Sequence, residues 1–242
     1  MVVEVSRDGT PGAVRSVPAT TSLWDVACPT TTTCIATGAL SMPTPWFPYL
    51  THTPLFVVIE NGQPGPAREF PRGTQGAIGI DCATTTTCLV VASTGFVVLT
   101  NVDGTWSQTF HRYRSTPGSG YPTEEISCPT ATTCYATAGG VSVPAIIAVS
   151  TTGVAGPVQL LGNVPGMLFD ISCPYGRTCT AVGQSGPQGL VVDVFRGTVA
   201  ATTVYGNVNW FNGVSCIGVA SCGIVGNWAN DAFFAWHGPV PG

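Results

Sequence analysis

Apolar residues along the chain fall in short runs rich in Val, Ile, Leu and Phe, each closed by Gly, Pro, Asn, Asp or Thr. No window sustains an apolar stripe at the 3.6-residue period, so helices are not expected. β-Branched runs bounded by turn residues predict strands and an all-β protein. Five such runs stand out: LFVVIENG (55–62), GFVVLTN (95–101), AIIAVST (145–151), GLVVDVF (189–195) and DAFFAWHG (231–238). None approaches the ~18 apolar residues that a membrane-crossing helix needs.

The cysteines repeat with these runs. Cys28/Cys34, Cys82/Cys88, Cys128/Cys134, Cys173/Cys179 and Cys216/Cys222 each enclose five residues, and successive first cysteines lie 54, 46, 45 and 43 residues apart. Two residues before each first cysteine stand Val26, Ile80, Ile126, Ile171 and Val214. Three after each second cysteine stand Thr37, Val91, Thr137, Val182 and Val225, followed by the small residues Gly38, Ala92, Ala138, Gly183 and Gly226. The unit reads strand, Cys, five-residue turn, Cys, strand. A cysteine at the base of each hairpin arm sets the two Cβ atoms opposite one another, as a disulfide requires.

A third apolar strand and a more polar fourth, such as WSQTFHR (106–112), PVQLLG (157–162) or TVAATTVYG (198–206), complete most units. Four antiparallel strands repeated every 43–54 residues match the blade of a β-propeller. The expectation is one domain over residues 1–242, with five blades at about 20–72, 73–120, 121–164, 165–207 and 208–242. One disulfide staples each blade. The last unit ends where a fourth strand should begin, and GAVRSVPA (12–19) is expected to fill that place and close the ring. MVVEVS (1–6) reads as a surplus third strand.

Charge removes several functions. Charged residues make up 8% of the chain, the net charge is −4, and all eight basic residues are Arg. No basic stripe is present to displace counterions from nucleic acid. Without lysine there is neither a Schiff-base nucleophile nor a P-loop cation. The first residues, MVVEVSRDG, lack the basic start and long apolar core of a signal peptide. Zinc sites favour shorter C-x2–4-C knuckles, often completed by His. Here the spacing is five and only His52, His111 and His237 exist, so disulfides are expected rather than metal, and no cofactor is called for. Five bridges place the protein outside the reducing cytosol, secreted or on the cell surface.

The phrases DVACPTTTTCIATG (25–38) and DISCPYGRTCTAVG (170–183) resemble the Ser-Cys-Pro…Cys-x-Ala-Val-Gly repeats of secreted actinobacterial propeller proteins. They are also similar to sialidase-type (BNR) and photosystem-assembly-factor repeats, and NVDGTW (101–106) is similar to the Asp-box of those repeats, one residue short. The resemblance implies architecture. It does not imply an activity, because propellers carry many.

Three residues before each first cysteine stand Asp25, Gly79, Glu125, Asp170 and Gly213. If Asp25, Glu125 and Asp170 converge on a central channel, they resemble the acids of a five-bladed glycosidase, with one as proton donor and a second activating water or attacking the sugar. The competing reading has these acids bonding backbone amides of a neighbouring blade. Aromatic residues gather in irregular segments: Trp46, Phe47, Tyr49 and His52 in the insertion 41–54, Tyr113 and Tyr121 beside Arg112 and Arg114, and Trp228 in GNWAND. Such faces stack on sugars or pack against proteins, whereas Trp24, Trp106, Trp210 and Phe211 are expected to fill space between blades. The chain has no G-x-S-x-G elbow for Ser/His/Asp catalysis.

The leading expectation is a non-catalytic extracellular module binding carbohydrate or another envelope component through Trp46, Phe47, Tyr49, Tyr113, Tyr121 and Trp228. The alternatives are a glycoside hydrolase using Asp25, Glu125 and Asp170, and a scaffold that docks a protein partner.

Overall fold

The computed structural model describes the whole chain except residues 6–9, 19, 21, 45–46, 114–122, 141–142, 162–163, 177, 219–220, 229–230 and 239–242. It is all-β and of propeller type, with five blades, one per cysteine pair. Each pair is bridged within its own hairpin, and no cysteine is free. The chain divides into two compact units, residues 1–112 and 113–242.

In the first unit, β1 (Val2–Val5) and β2 (Pro11–Arg15) form a two-stranded antiparallel sheet. The first blade follows: β3 (Ser22–Ala27), β4 (Thr33–Thr44) and β5 (Phe47–Glu60), with a fourth strand broken into β6 (Gln63–Pro64) and β7 (Arg68–Glu69). Pro64 and Pro66 have no amide hydrogen to give the ladder, which accounts for the break. The second blade is β8 (Ile80–Thr84), β9 (Thr87–Ala92), β10 (Gly95–Val102) and β11 (Thr105–Arg112), paired in chain order.

The second unit holds three blades. The first of them is β12 (Thr123–Ser127), β13 (Thr133–Gly140), β14 (Val143–Ser150) and β15 (Ala155–Leu160). Next come β16 (Met167–Tyr175), β17 (Thr178–Ser185), β18 (Gln188–Phe195) and β19 (Thr198–Tyr205). The last is β20 (Trp210–Gly218), β21 (Ser221–Trp228) and β22 (Asp231–His237), three strands among the described residues.

Second strands are buried on both faces, as their unbroken apolar runs require: Ile35–Ala39, Cys88–Ala92, Cys134–Ala138 and Cys179–Val182 are all buried. One core joins the two blades of the first unit through Ile35, Phe56, Phe70, Ile80, Val90, Val97, Leu99 and Trp106. In the second unit Ile146, Leu168, Ile171, Leu190 and Val192 share one core, and Val182, Val191, Phe211, Val214 and Ile224 another. The last sheet departs from the pattern on its outer face. Val225, Phe234 and Trp236 are 49, 65 and 58% exposed, whereas the register-equivalent Val182, Val191 and Asp193 are at most 4% exposed.

One sequence expectation takes a different form, and the N-terminal segments form the strands expected of them. The insertion 41–54 is no irregular loop but an extension of the β4–β5 ladder, which runs from Thr33↔Glu60 out to Thr44↔Phe47. MVVEVS and GAVRSVPA pair with one another: β1 and β2 have the third- and fourth-strand arrangement of a blade.

Candidate functional site

A β-bulge in the first strand decides what the acids do. In β3, β16 and β20 the ladder slips at Leu23/Asp25, Leu168/Asp170 and Phe211/Gly213. The extra residue bends the strand and re-aims the side chain that follows. It also pushes a carbonyl toward the facing strand. A Cβ on Gly38, Gly183 or Gly226 would collide with the carbonyl oxygen of Ser22, Met167 or Trp210 respectively, which is why those positions are glycine.

The re-aimed carboxylates bind backbone. Asp25 Oδ1 accepts from its neighbour's amide, Val26 N–H, at 2.7 Å. Asp25 Oδ2 accepts from Ile80 N–H on the next blade, also at 2.7 Å. Asp170 repeats this with Ile171 N–H and Val214 N–H, both at 2.7 Å. The receiving blades are those with Gly79 and Gly213 in place of an acid, so one carboxylate serves two amides wherever the following copy lacks its own. Glu125 Oε1 accepts from Ile126 N–H at 3.2 Å. Serines add a parallel tie: the Ser127 hydroxyl accepts from Cys173 N–H and the Ser172 hydroxyl from Cys216 N–H, both at 3.1 Å. Carboxylates holding amide hydrogens brace adjacent sheets. Asp25 lies in the first unit, and Glu125 and Asp170 in the second.

The threonine-rich turns serve a local purpose. Thr30 and Thr130, two residues after their cysteines, accept from Thr33 N–H at 2.9 Å and Thr133 N–H at 3.0 Å, as hydroxyl-closed turns do.

The aromatic candidates separate. Trp46 and Tyr121 lie outside the described residues, and the side chains of Phe47 and Tyr49 are likewise not described although both residues belong to β5. Tyr113 is half-buried just after β11, and His111 and Arg112 end that strand. Phe211 and Trp106 fill the core as expected, but Trp24 and Trp210 are 41 and 36% exposed. The bulge explains Trp24, since it is the extra residue turned out of the ladder, where its ring meets His52 edge-on at 6.5 Å.

Trp228, 53% exposed, borders a cleft of about 300 Å³ lined by Tyr205, Gly206, Asn207, Val208 and Phe233. Its aromatic floor is continuous: Trp228 meets Phe233 edge-on at 6.4 Å, Phe233 meets the buried Phe211 at 6.2 Å, and Phe211 meets Tyr205 edge-on at 5.5 Å. The 206–209 connection is tied on both sides, by Gly189 N–H to the Val208 carbonyl at 2.5 Å and Asn209 N–H to the Asn227 carbonyl at 2.9 Å. The cleft sits at the end of its sheets away from the cysteine turns. It combines the rings of Tyr205, Trp228 and Phe233 with Gly206, Asn207 and Val208 on a pinned backbone, a mostly apolar lining suited to a small ligand with an apolar face.

Two further polar groups stand out in the structure. Asp193, 4% exposed, accepts from the Thr180 hydroxyl at 2.9 Å and faces His237 Nε2 at 3.2 Å. Its register-equivalents are Val58, Val98 and Ala148, so comparing the copies would have marked it. Burial raises the Glu124 carboxyl above its ordinary value. Among the described residues, no three His, Cys, Asp or Glu side chains gather as a metal site would require.

No protein-family model matches the chain, and no curated protein does. Solved structures do resemble it. The chain is similar to one from a nidogen/laminin complex at 13% identity and a TM-score of 0.60, over 98% of this chain and 89% of that one. It is similar to the PQQ-bound aldose sugar dehydrogenase of Streptomyces coelicolor at 11% identity and 0.59, over 98 and 87%. The Dos1 propeller matches at 9% identity and 0.59, over 93 and 74%. At these identities the likeness is one of fold, and the five disulfides make this propeller an extracellular-type module.

Proposed function

We propose that the chain is a secreted or cell-surface recognition module that binds a carbohydrate, or another envelope component with sugar-like faces and edges, without transforming it. The Trp228 cleft carries this reading: an exposed indole stands with Tyr205 and Phe233 beside the pinned 206–209 connection, which includes Asn207. Aromatic faces pack on the C–H faces of pyranose rings while amides and hydroxyls take the ring's hydroxyl groups. The acids support the non-catalytic part. Asp25 and Asp170 hold backbone amides with both oxygens, whereas glycosidic chemistry needs carboxyl groups free to face the sugar.

A glycan array probed with the parent protein and with Trp228→Ala tests the proposal. Binding to a restricted glycan set, weakened at least about tenfold by the substitution, is the expected result. A blank array, or binding indifferent to Trp228→Ala, overturns it; a blank array turns attention to a protein partner. Incubation with the bound glycans should release no product, and product lost on Asp170→Asn would establish the hydrolase instead.

A further inference from the structure

Charge is distributed unevenly between the two ends of the blades that form the Trp228 cleft. From β16 onward, the side chains able to carry positive charge are Arg177, Arg196 and His237. Arg177 lies between Cys173 and Cys179 in the sequence. Arg196 occupies the β18–β19 turn and His237 pairs with Cys222, so both sit at the cysteine end. At the cleft end, Trp228 and Asp231 close the β21–β22 hairpin as a register pair, and Asp231 is exposed. The described lining residues, Tyr205, Gly206, Asn207, Val208, Trp228 and Phe233, are uncharged. Ala229 and Asn230, between Trp228 and Asp231 in the sequence, add no charge. The hairpin that presents the indole therefore carries a carboxylate beside it and its imidazole at the far end.

We infer that the cleft, on the sugar-binding reading proposed above, takes one or two neutral pyranose residues bearing a methyl-terminated substituent, a 6-deoxy methyl or an acetamido group, and turns acidic sugars away. A carboxylate or sulfate laid on these rings would give up hydration without a cation to replace it, and would face Asp231. A methyl group gains from the same surface. Phe233 stands against the buried Phe211, and Val208 is 4% exposed, so C–H groups displace water there favourably. A volume of about 300 Å³ is at the lower end of ligand pockets, which limits the occupant to one or two rings. The 206–209 connection is already tied to Gly189 and Asn227 through backbone hydrogen bonds, so little ordering is left for the ligand to impose. β22 begins beside the cleft and carries the chain away from it, to His237.

Titration calorimetry of the full chain tests this against matched methyl glycosides: the plain hexose, its 6-deoxy form, its 2-acetamido form and its uronic acid, each in the gluco, galacto and manno configurations. In at least one configuration a methyl-bearing form should bind at least about tenfold more tightly than the hexose, the two arms distinguishing deoxy methyl from acetamido. The uronic acid should bind more weakly than the hexose. Asp231→Lys should raise uronic-acid affinity about threefold to tenfold at low salt, a gain that high salt removes. A uronic acid bound as tightly as the hexose, a hexose bound as tightly as both methyl-bearing forms, or no gain on Asp231→Lys would each overturn the inference and leave a sugar-binding module standing. Silence across the panel also overturns it, and a blank glycan array alongside would take the proposed function with it.

Discussion

Replacing Asp170 by alanine separates a brace from a catalyst. The substitution leaves two amides, Ile171 N–H and Val214 N–H, without the oxygens they reach at 2.7 Å. Both belong to residues less than 9% exposed. Hydrogen bonds to a charged acceptor contribute roughly 1.5–3 kcal/mol each. Asp170 itself is half-buried, so water recovers part of that, and a total of about 2–3 kcal/mol is expected. For a chain of this size about 2–4 °C of midpoint follows each kcal/mol, which gives a fall of about 4–12 °C. Asp170→Asn keeps one acceptor oxygen and should fall between parent and alanine variant. Exposed Asp231, replaced by alanine, should stay within about 0.5 kcal/mol of the parent. Thermal unfolding followed by circular dichroism, with urea unfolding followed by tryptophan fluorescence, reads all three. An alanine variant with the parent's midpoint would refute the brace and return Asp170 to the list of functional acids.

Other substitutions test the remaining arguments. Gly183→Ala drives a Cβ against the Met167 carbonyl and should cost about 1–3 kcal/mol in urea unfolding, despite alanine standing at the equivalent positions 92 and 138. Asp193→Ala strands the Thr180 hydroxyl and His237 and should cost about 3 kcal/mol; Thr180→Leu with Asp193→Val, the pair found at Leu89 and Val98, should recover most of it. Glu124 retains its proton in the folded protein to higher pH than in the unfolded chain because burial raises it from 4.5. The folded state therefore binds more protons above that value, and stability falls as pH rises through the raised value. Glu124→Gln should be more stable than the parent at pH ~7 and equal to it at pH ~4, as measured by midpoints across pH.

Cysteine spacing made the repeat legible, and with it the strand count, the disulfides and the blade architecture. What the sequence could not convey was direction. Asp25 and Asp170 stood out as acids at equivalent positions, but whether they face a channel or a neighbour's amides depends on a one-residue bulge that leaves no mark in composition. The same bulge fixes Gly38, Gly183 and Gly226, which the pattern flagged as small without giving the cause. Trp228 was visible because an indole in a short connection is conspicuous. Tyr205 and Asn207 were not, because they close an ordinary polar strand and turn, and only packing brings them beside Trp228. The insertion 41–54 read as irregular, yet the ladder continues along 41–44 and 47–54, since each strand of a hairpin extension has only one partner and tolerates missing donors on its open side.

Disulfide mapping tests the architecture on which the braces and the cleft both depend. Digestion without reduction, followed by mass spectrometry, should yield five bridges and no free thiol: Cys28–Cys34, Cys82–Cys88, Cys128–Cys134, Cys173–Cys179 and Cys216–Cys222. A bridge joining cysteines of two different hairpins would contradict the account.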